Sequence, residues 1–324
     1  MIVRWGLDQL GGVLEDLSCN ESLLVASERW RDVELPVTRR FHGVRSHAPI
    51  DSVEAARAAA GAADCLVGLG GGSAIDTAKA VSAETGLPVI SVPTTYAGAE
   101  WTPFFGMRDE ARGVKTGGGG ARLAAIVYEP ELTLELPRAE SGGTALNALA
   151  HCAEALYVQS RNDGADRHAL RGARLISEFL PTVLRDGRNL DARTRLLEGA
   201  AEAGAALGKS GLALGHAMAQ ALGGRYGLPH GALNAICLRA ALRFNAEVAG
   251  PALQRFAEAM GADDAVARVE ELAGLAGFHR LRDLGVPVNE LDEVAEATAT
   301  RAGAKANPRP ANAAQIAKLL REVW

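Results

Sequence analysis

The 324-residue chain is poor in cysteine: Cys19, Cys65, Cys152 and Cys237 are its only four, they lie far apart, and no CxxC joins any two. That spacing suggests neither a zinc knuckle nor a disulfide framework, and reduced thiols, mostly in the core, are the expected state. A basic excess is also missing. With 34 basic against 39 acidic residues the net charge is -5, so no field attracts a phosphate backbone and nucleic acid is not an expected partner. No apolar run approaches the roughly 20 residues that span a bilayer, and the opening MIVRWGLDQL lacks the apolar stretch of a signal peptide. The chain therefore reads as cytoplasmic, with no membrane partner. Internal repeats and low-complexity linkers are absent as well. What is present is 48% hydrophobic residues, enough for a large core, on a length that favours two domains because a single core stops growing at about 250 to 300 residues.

Up to about residue 136, short apolar runs alternate with helical stretches, the pattern of a parallel α/β sheet. SLLVAS (22–27), CLVGLG (65–70), LPVISVPT (87–94) and AAIVYE (124–129) read as buried strands, with helices over 52–63 and 73–86 between them. RDEARGVKTGGGG (108–120) reads as a mobile loop because of its four consecutive glycines. From Pro137 onward, Ala/Leu/Glu/Arg stretches repeat with helical spacing, so a nearly all-helical second domain is expected over 137–324, after an α/β domain over 1–136.

GLGGGSAIDTAKA (68–80) is neither a GxGxxG nor a Walker A loop, but it sets Gly70, Gly71 and Gly72 directly after a strand and Ser73 at a helix start. Glycine admits close backbone approach to a phosphate, and the first free N–H groups of the helix favour its charge. A tight strand-to-helix turn would use the same residues, and Asp76 with Lys79 at i and i+3 reads equally well as a solvated pair.

Taken together, four stretches resemble the iron-containing (group III) alcohol dehydrogenase superfamily. GGGSAIDTAKA is similar to its GGGSxxDxAK signature, and VPTTYAGAEWTP (92–103) resembles its PTTxxxGSExT segment in the PTTYAGSEMTP form typical of maleylacetate reductases. LPRAESGGTALNALAHCAEALY (136–157) and GHAMAQALGGRYGLPHGALNAI (215–236) follow in the family's order, with NPRP (307–310) near the end. The resemblance implies an N-terminal Rossmann-like dinucleotide-binding domain and an all-α C-terminal domain, the dehydroquinate synthase-like architecture, with the nicotinamide beside a histidine cluster in an interdomain cleft. It places the NADH or NADPH pyrophosphate at Gly70, Gly71, Gly72 and Ser73, with Asp76, Lys79, Thr94, Thr95 and Tyr96 as further cofactor residues and Trp101 in the pocket wall. Ser27 stands where an acidic residue often holds the ribose, and with Arg29 nearby both cofactors are open.

The metal-dependent members take one Asp and three His as ligands to a divalent ion, Fe or Zn. In register, Asn147 stands at the Asp position, His151 at the first His, and His216 and His230 at the others. Three imidazoles alone can bind zinc, so the loss of the carboxylate weakens a metal site without excluding it. An Asn-x-x-x-His helix also resembles maleylacetate reductases, which are not generally metal-dependent. Gln220, one turn after His216, replaces a family relay histidine and cannot shuttle protons. Arg239 and Ala240 stand where Pro-His is usual, and Asp76 is more typical of general alcohol dehydrogenases. The expected activity is NAD(P)H-dependent reduction of maleylacetate to 3-oxoadipate, in the degradation of aromatic compounds, by a homodimer acting on a carboxylate-bearing small molecule. In that reading His151, His216, His230, Asn147 and Gln220 meet the substrate, and Lys115 or Arg108 a carboxylate. Readings as a metal alcohol dehydrogenase acting on a small aldehyde or ketone, a dehydroquinate-synthase-like cyclase, or a non-catalytic nucleotide-binding protein stand behind it. His42, His47, His168 and His279 match no motif and read as surface residues.

Overall fold

Apolar runs with no polar face, such as Leu23–Ala26 and Cys65–Leu69, can only be satisfied in a sheet covered on both sides. The computed structural model describes residues 1–112 and 114–324, which divide into two compact units, Met1–Thr133 and Leu134–Trp324. In the first, the strands are β1 (Ile2–Trp5), β2 (Ser22–Ala26), β3 (Arg39–Phe41), β4 (Cys65–Gly70), β5 (Pro88–Pro93), β6 (Phe105–Asp109), β7 (Val114–Gly118) and β8 (Arg122–Tyr128). Six of them form one sheet in the order β1-β8-β5-β4-β2-β3, every pairing parallel. Alternate residues face opposite sides: Leu24, Ala26, Val67 and Leu69 pack with α1 (Leu10–Asp16), whereas Leu23, Val25 and Leu66 pack with α2 (Ile50–Ala60) and α3 (Gly72–Thr85).

The stretch 108–120 corrects the reading as a loop. Arg108 pairs with Lys115 and Phe105 with Gly118 in the antiparallel β6–β7 hairpin; Gly113, between the strands, lies outside the described residues. Backbone pairing needs no apolar side chains, which is why a glycine-rich, exposed β7 gave no strand signal.

The second unit is helical: α4 (Arg138–Ala155), α5 (Asp163–Arg185), α6 (Leu190–Lys209), α7 (Leu214–Tyr226), α8 (His230–Ala259, kinked at Ala249 ahead of Pro251), α9 (Ala265–Ala276), α10 (Leu291–Ala299), α11 (Ala302–Ala306) and α12 (Ala313–Glu322). From Ser141 to Ala155 every residue of α4 except Thr144 is buried, so α4 is the central helix and its polar side chains lie inside the bundle. The NPRP segment is fastened there by a reciprocal amide pair, Asn245 to Asn307 at 2.9 Å and Asn307 to Asn245 at 2.8 Å. Among the described residues no helix is long and apolar enough to cross a membrane.

Candidate active site

β4 ends at Gly70, whose φ of +143° only glycine adopts readily, and α3 starts without any side-chain cap, leaving its first N–H groups available. A Cβ on Gly71 would lie 2.9 Å from Thr95 Cγ2, while a Cβ on Gly72 would meet nothing within 4 Å, so the space in front of the helix is open. Thr94 N donates to Gly70 O at 3.0 Å, which ties the end of β5 to that of β4. Gly70, Gly71, Gly72, Ser73, Thr94 and Thr95 thus converge at the carboxyl ends of two adjacent parallel strands, where open α/β sheets bind dinucleotides, and the glycine cradle fits a pyrophosphate. Ser27 lies at the same end of β2 and brings no carboxylate. Arg29 lies 5.0 Å from the Trp30 ring centroid.

Asp76 and Lys79 are not the solvated pair that their spacing allows. Lys79 is 1% exposed, and its Nζ donates to Ala99 O (2.7 Å), Thr102 O (3.3 Å) and Phe104 O and pairs with Asp76 Oδ1 at 2.9 Å. Asp76 Oδ2 accepts from Gly106 N at 3.1 Å. A buried ammonium that collects carbonyls holds the 99–106 segment against α3. Tyr96 is fully buried beside it, and Trp101 Nε1 donates to Tyr128 Oη, which in turn donates to the buried Glu100. His47, read as a plain surface residue, sits at the glycine turn: its N–H donates to Ser73 Oγ at 2.9 Å. Burial and the charges of Lys115 and Arg108 lower the proton affinity of its imidazole. Those two cations face each other across the β6–β7 hairpin of the α/β unit.

In the helical unit, α4 presents Asn147, His151 and Glu154 at i, i+4 and i+7, on one face. α8 approaches closely because Gly231 has no side chain: a Cβ there would lie 2.4 Å from Gly143 C and O of α4. This contact brings in His230, in the first turn of α8, and Asn234 one turn later; α7 supplies His216. The His151 and His216 rings stack with centroids 4.7 Å apart and planes 12° apart, and His230 lies 6.1 Å from His216.

Glu154, fully buried, is the residue the sequence reading missed. Its carboxylate accepts from His216 Nδ1 (2.8 Å), His216 N (3.1 Å) and Ala213 N (2.5 Å). It fixes the ring so that Nε2, buried and without a hydrogen-bond partner, is the free nitrogen. The only hint in sequence is an acidic residue on the helix face that carries Asn147 and His151. Asn234 donates to Asn147 Oδ1 at 2.6 Å, which leaves Asn147 Nδ2 facing His151 Nε2 at 3.5 Å. Burial first, and the neighbouring His216 and His230 second, hold His151 well below the usual histidine range, so it is neutral at neutral pH. Its Nδ1 is buried and without a partner. Gln220 is half-buried one turn beyond His216, while Arg239 points elsewhere, donating to His279 O.

These residues fit a metal poorly as arranged. The amide oxygen of Asn147 is taken by Asn234, and the donor nitrogens of the three histidines do not all lie within 4.8 Å of one another. The two buried ring nitrogens, His151 Nδ1 and His216 Nε2, are left for a partner from outside the chain.

A parallel sheet with an open glycine turn, together with a helical unit that gathers three imidazoles, two of them buried, defines an NAD(P)-dependent oxidoreductase. The model of the iron-containing alcohol dehydrogenase matches residues 13–128, and that of the C-terminal part of the Fe-containing alcohol dehydrogenase family matches residues 142–324; the chain belongs to this family. It is 38% identical to the maleylacetate reductase of Burkholderia cepacia over 289 residues (88% of this chain, 81% of the relative). To maleylacetate reductase 1 of Rhodococcus opacus it is 35% identical over 323 residues (96% and 90%). The crystal structure of the Agrobacterium tumefaciens maleylacetate reductase superposes with a TM-score of 0.90 at 32% identity, covering 100% of this chain and 95% of the other.

Proposed function

We propose that the chain uses NADH or NADPH to reduce the carbon-carbon double bond of maleylacetate that is conjugated to its ketone, giving 3-oxoadipate. The observation that carries the reading is the amide network Asn234–Asn147–His151, which puts hydrogen-bond donors where the family's metal-dependent members place a ligand carboxylate. NAD(P)H, when bound, supplies the hydride. The protein has to stabilise the negative charge that moves onto the ketone oxygen and return a proton to the adjacent carbon. His216 is placed for this: Glu154 holds its Nδ1, which leaves the buried Nε2 as the ring atom that can exchange a proton with the substrate. His151 stays neutral, takes the Asn147 amide at Nε2 and offers its Nδ1–H to a second oxygen. Rings stacked at 4.7 Å disfavour a charge on both. Gln220 serves as a hydrogen-bonding residue, and the Arg108 and Lys115 cations, with the His47 imidazole whose proton affinity they lower, as an anion-facing patch of the α/β unit.

A cytoplasmic homodimer is the form we expect, checked by light scattering of the purified chain. The test of the reaction is NADH and NADPH oxidation with maleylacetate and with a panel of small aldehydes, with and without chelator. Maleylacetate turnover that survives chelation supports the reading; aldehyde turnover abolished by chelation overturns it in favour of a metal alcohol dehydrogenase. Asp76 does not discriminate between the two, because its contacts are to Lys79 and Gly106.

A further inference from the structure

The cysteines that sequence spacing left unconnected do not stay apart. Among the described residues, only Cys19, Asp64 and Cys65 bring three metal-ligating atoms of His, Cys, Asp or Glu within 4.8 Å of one another. Cys19 follows α1, where Ser18 takes a positive φ of 56° and Cys19 N donates to Leu14 O at 2.8 Å. Cys65 opens β4, paired with Ser22 at the start of β2, so the turn out of α1 delivers one thiol beside the other. Asp64 is oriented by two backbone donors, Asn20 N at 2.7 Å and Glu21 N at 3.0 Å, both on Oδ2. Its Oδ1 is buried and has no hydrogen-bond partner.

We infer that Cys19, Asp64 and Cys65 form a site for a thiophilic divalent ion of the zinc class, separate from the histidine cluster. Two sulfurs and one carboxylate oxygen are a borderline-soft donor set, and an oxygen already fixed by N–H donors on its other lobe is how ligand carboxylates are held. Metal–sulfur bonds of about 2.3 Å and metal–oxygen bonds of about 2.1 Å need ligand atoms roughly 3.5 to 3.8 Å apart, a contraction of about 1 Å from the outer limit here. Cys19 and Asp64 are partly exposed, which leaves the fourth position to water. As the ion binds, each thiol forms a metal–sulfur bond and releases its proton to solvent. The site lies at the amino end of β4, and five residues of strand at ~3.3 Å each put it about 16 Å from the glycine turn at the other end. Its occupancy would therefore be read in the stability of the α/β unit rather than in hydride transfer.

The test uses the full-length chain, reduced and freed of metal, titrated with Cd²⁺ while the sulfur-to-cadmium absorption is followed, then competed with Zn²⁺. One saturable equivalent per chain is expected. Cys19→Ser should remove about half of the absorption and weaken Zn²⁺ at least tenfold; Asp64→Asn should keep the absorption and weaken Zn²⁺ about 10- to 100-fold. Both positions are partly exposed, so the variants should fold, and Cys19→Ser should keep its NADH oxidation. His151→Ala should leave the Cd²⁺ signal unchanged, which separates this site from the histidines. An absent or non-saturating signal, one insensitive to Cys19→Ser, or a Cys19–Cys65 disulfide filling the site in the purified protein would overturn the inference.

Discussion

Replacing Glu154 by Gln tests how the helical unit prepares His216. The substitution keeps size and one carbonyl oxygen but exchanges a carboxylate oxygen for an NH₂ group. Of the three donors now satisfied, His216 Nδ1, His216 N and Ala213 N, at least one must then face another donor. Hydrogen bonds to a charged group are worth about 1.5 to 3 kcal/mol, and second-layer partners of a functional histidine typically matter 10- to 100-fold. A tenfold change in rate corresponds to about 1.4 kcal/mol, so the two figures agree, and kcat should fall roughly 10- to 100-fold. The glycine turn proposed to hold the cofactor lies in the α/β unit, so Kd for NADH, measured by fluorescence titration, should not change. Glu154→Ala goes further: it leaves three buried donors without an acceptor, at about 1 to 3 kcal/mol each before relaxation, and should lower the unfolding free energy by several kcal/mol. Stopped-flow single turnovers with maleylacetate and urea unfolding of both variants are the assays. If Glu154→Gln turned over at the wild-type rate, Glu154 would be only a structural buried acid and the role given to His216 would have to be abandoned.

Asn147→Asp restores the carboxylate of the metal-dependent pattern and should raise Zn²⁺ or Fe²⁺ affinity at the histidine cluster at least tenfold, read by equilibrium dialysis; unchanged affinity would mean that the arrangement of the imidazoles, not the amide, prevents binding. His151 has a proton affinity lowered by burial, so the unfolded chain takes up its proton first. Unfolding free energy should therefore be independent of this group well above pH 6.5 and fall as pH drops below that value, a loss that His151→Gln removes from a pH series of urea melts. Gly72→Ala places a methyl group in space where no protein atom lies within 4 Å; Tm should hold while NADH affinity falls at least tenfold. Lys79→Met removes the cation that gathers Ala99, Thr102 and Phe104 carbonyls, and should cost about 1 to 3 kcal/mol or more of stability, visible as faster proteolysis of the 99–106 segment.

Much of the molecule was legible because its signals are local. The runs at 22–27, 65–70 and 87–94 are strands for the reason they read as strands: they are apolar on both faces and bounded by turn residues. Three glycines between a strand and a helix marked a tight turn, and the i, i+4 spacing of Asn147 and His151 fixed their common helix face.

Contacts between segments distant in sequence could not be read in this way. Whether Lys79 faced solvent or the carbonyls of a segment 20 to 25 residues later depended on where that segment folded, and a charge at i+3 from another looks the same in both cases. Glu154 reads as an ordinary helix acid until α7 lays two backbone N–H groups and an imidazole on it. Cys19 and Cys65 are 46 positions apart in the chain but neighbours in the sheet, because β2 and β4 pair in parallel and the turn after α1 returns to the start of β4. The sequence by itself determined the apolar runs that become strands, the helical second part and the positions of the three imidazoles along the chain. Only the tertiary structure decided which of those rings has a carboxylate behind it, which way the Asn147 amide points and which thiols meet, because each depends on the burial and donor geometry that a second element supplies.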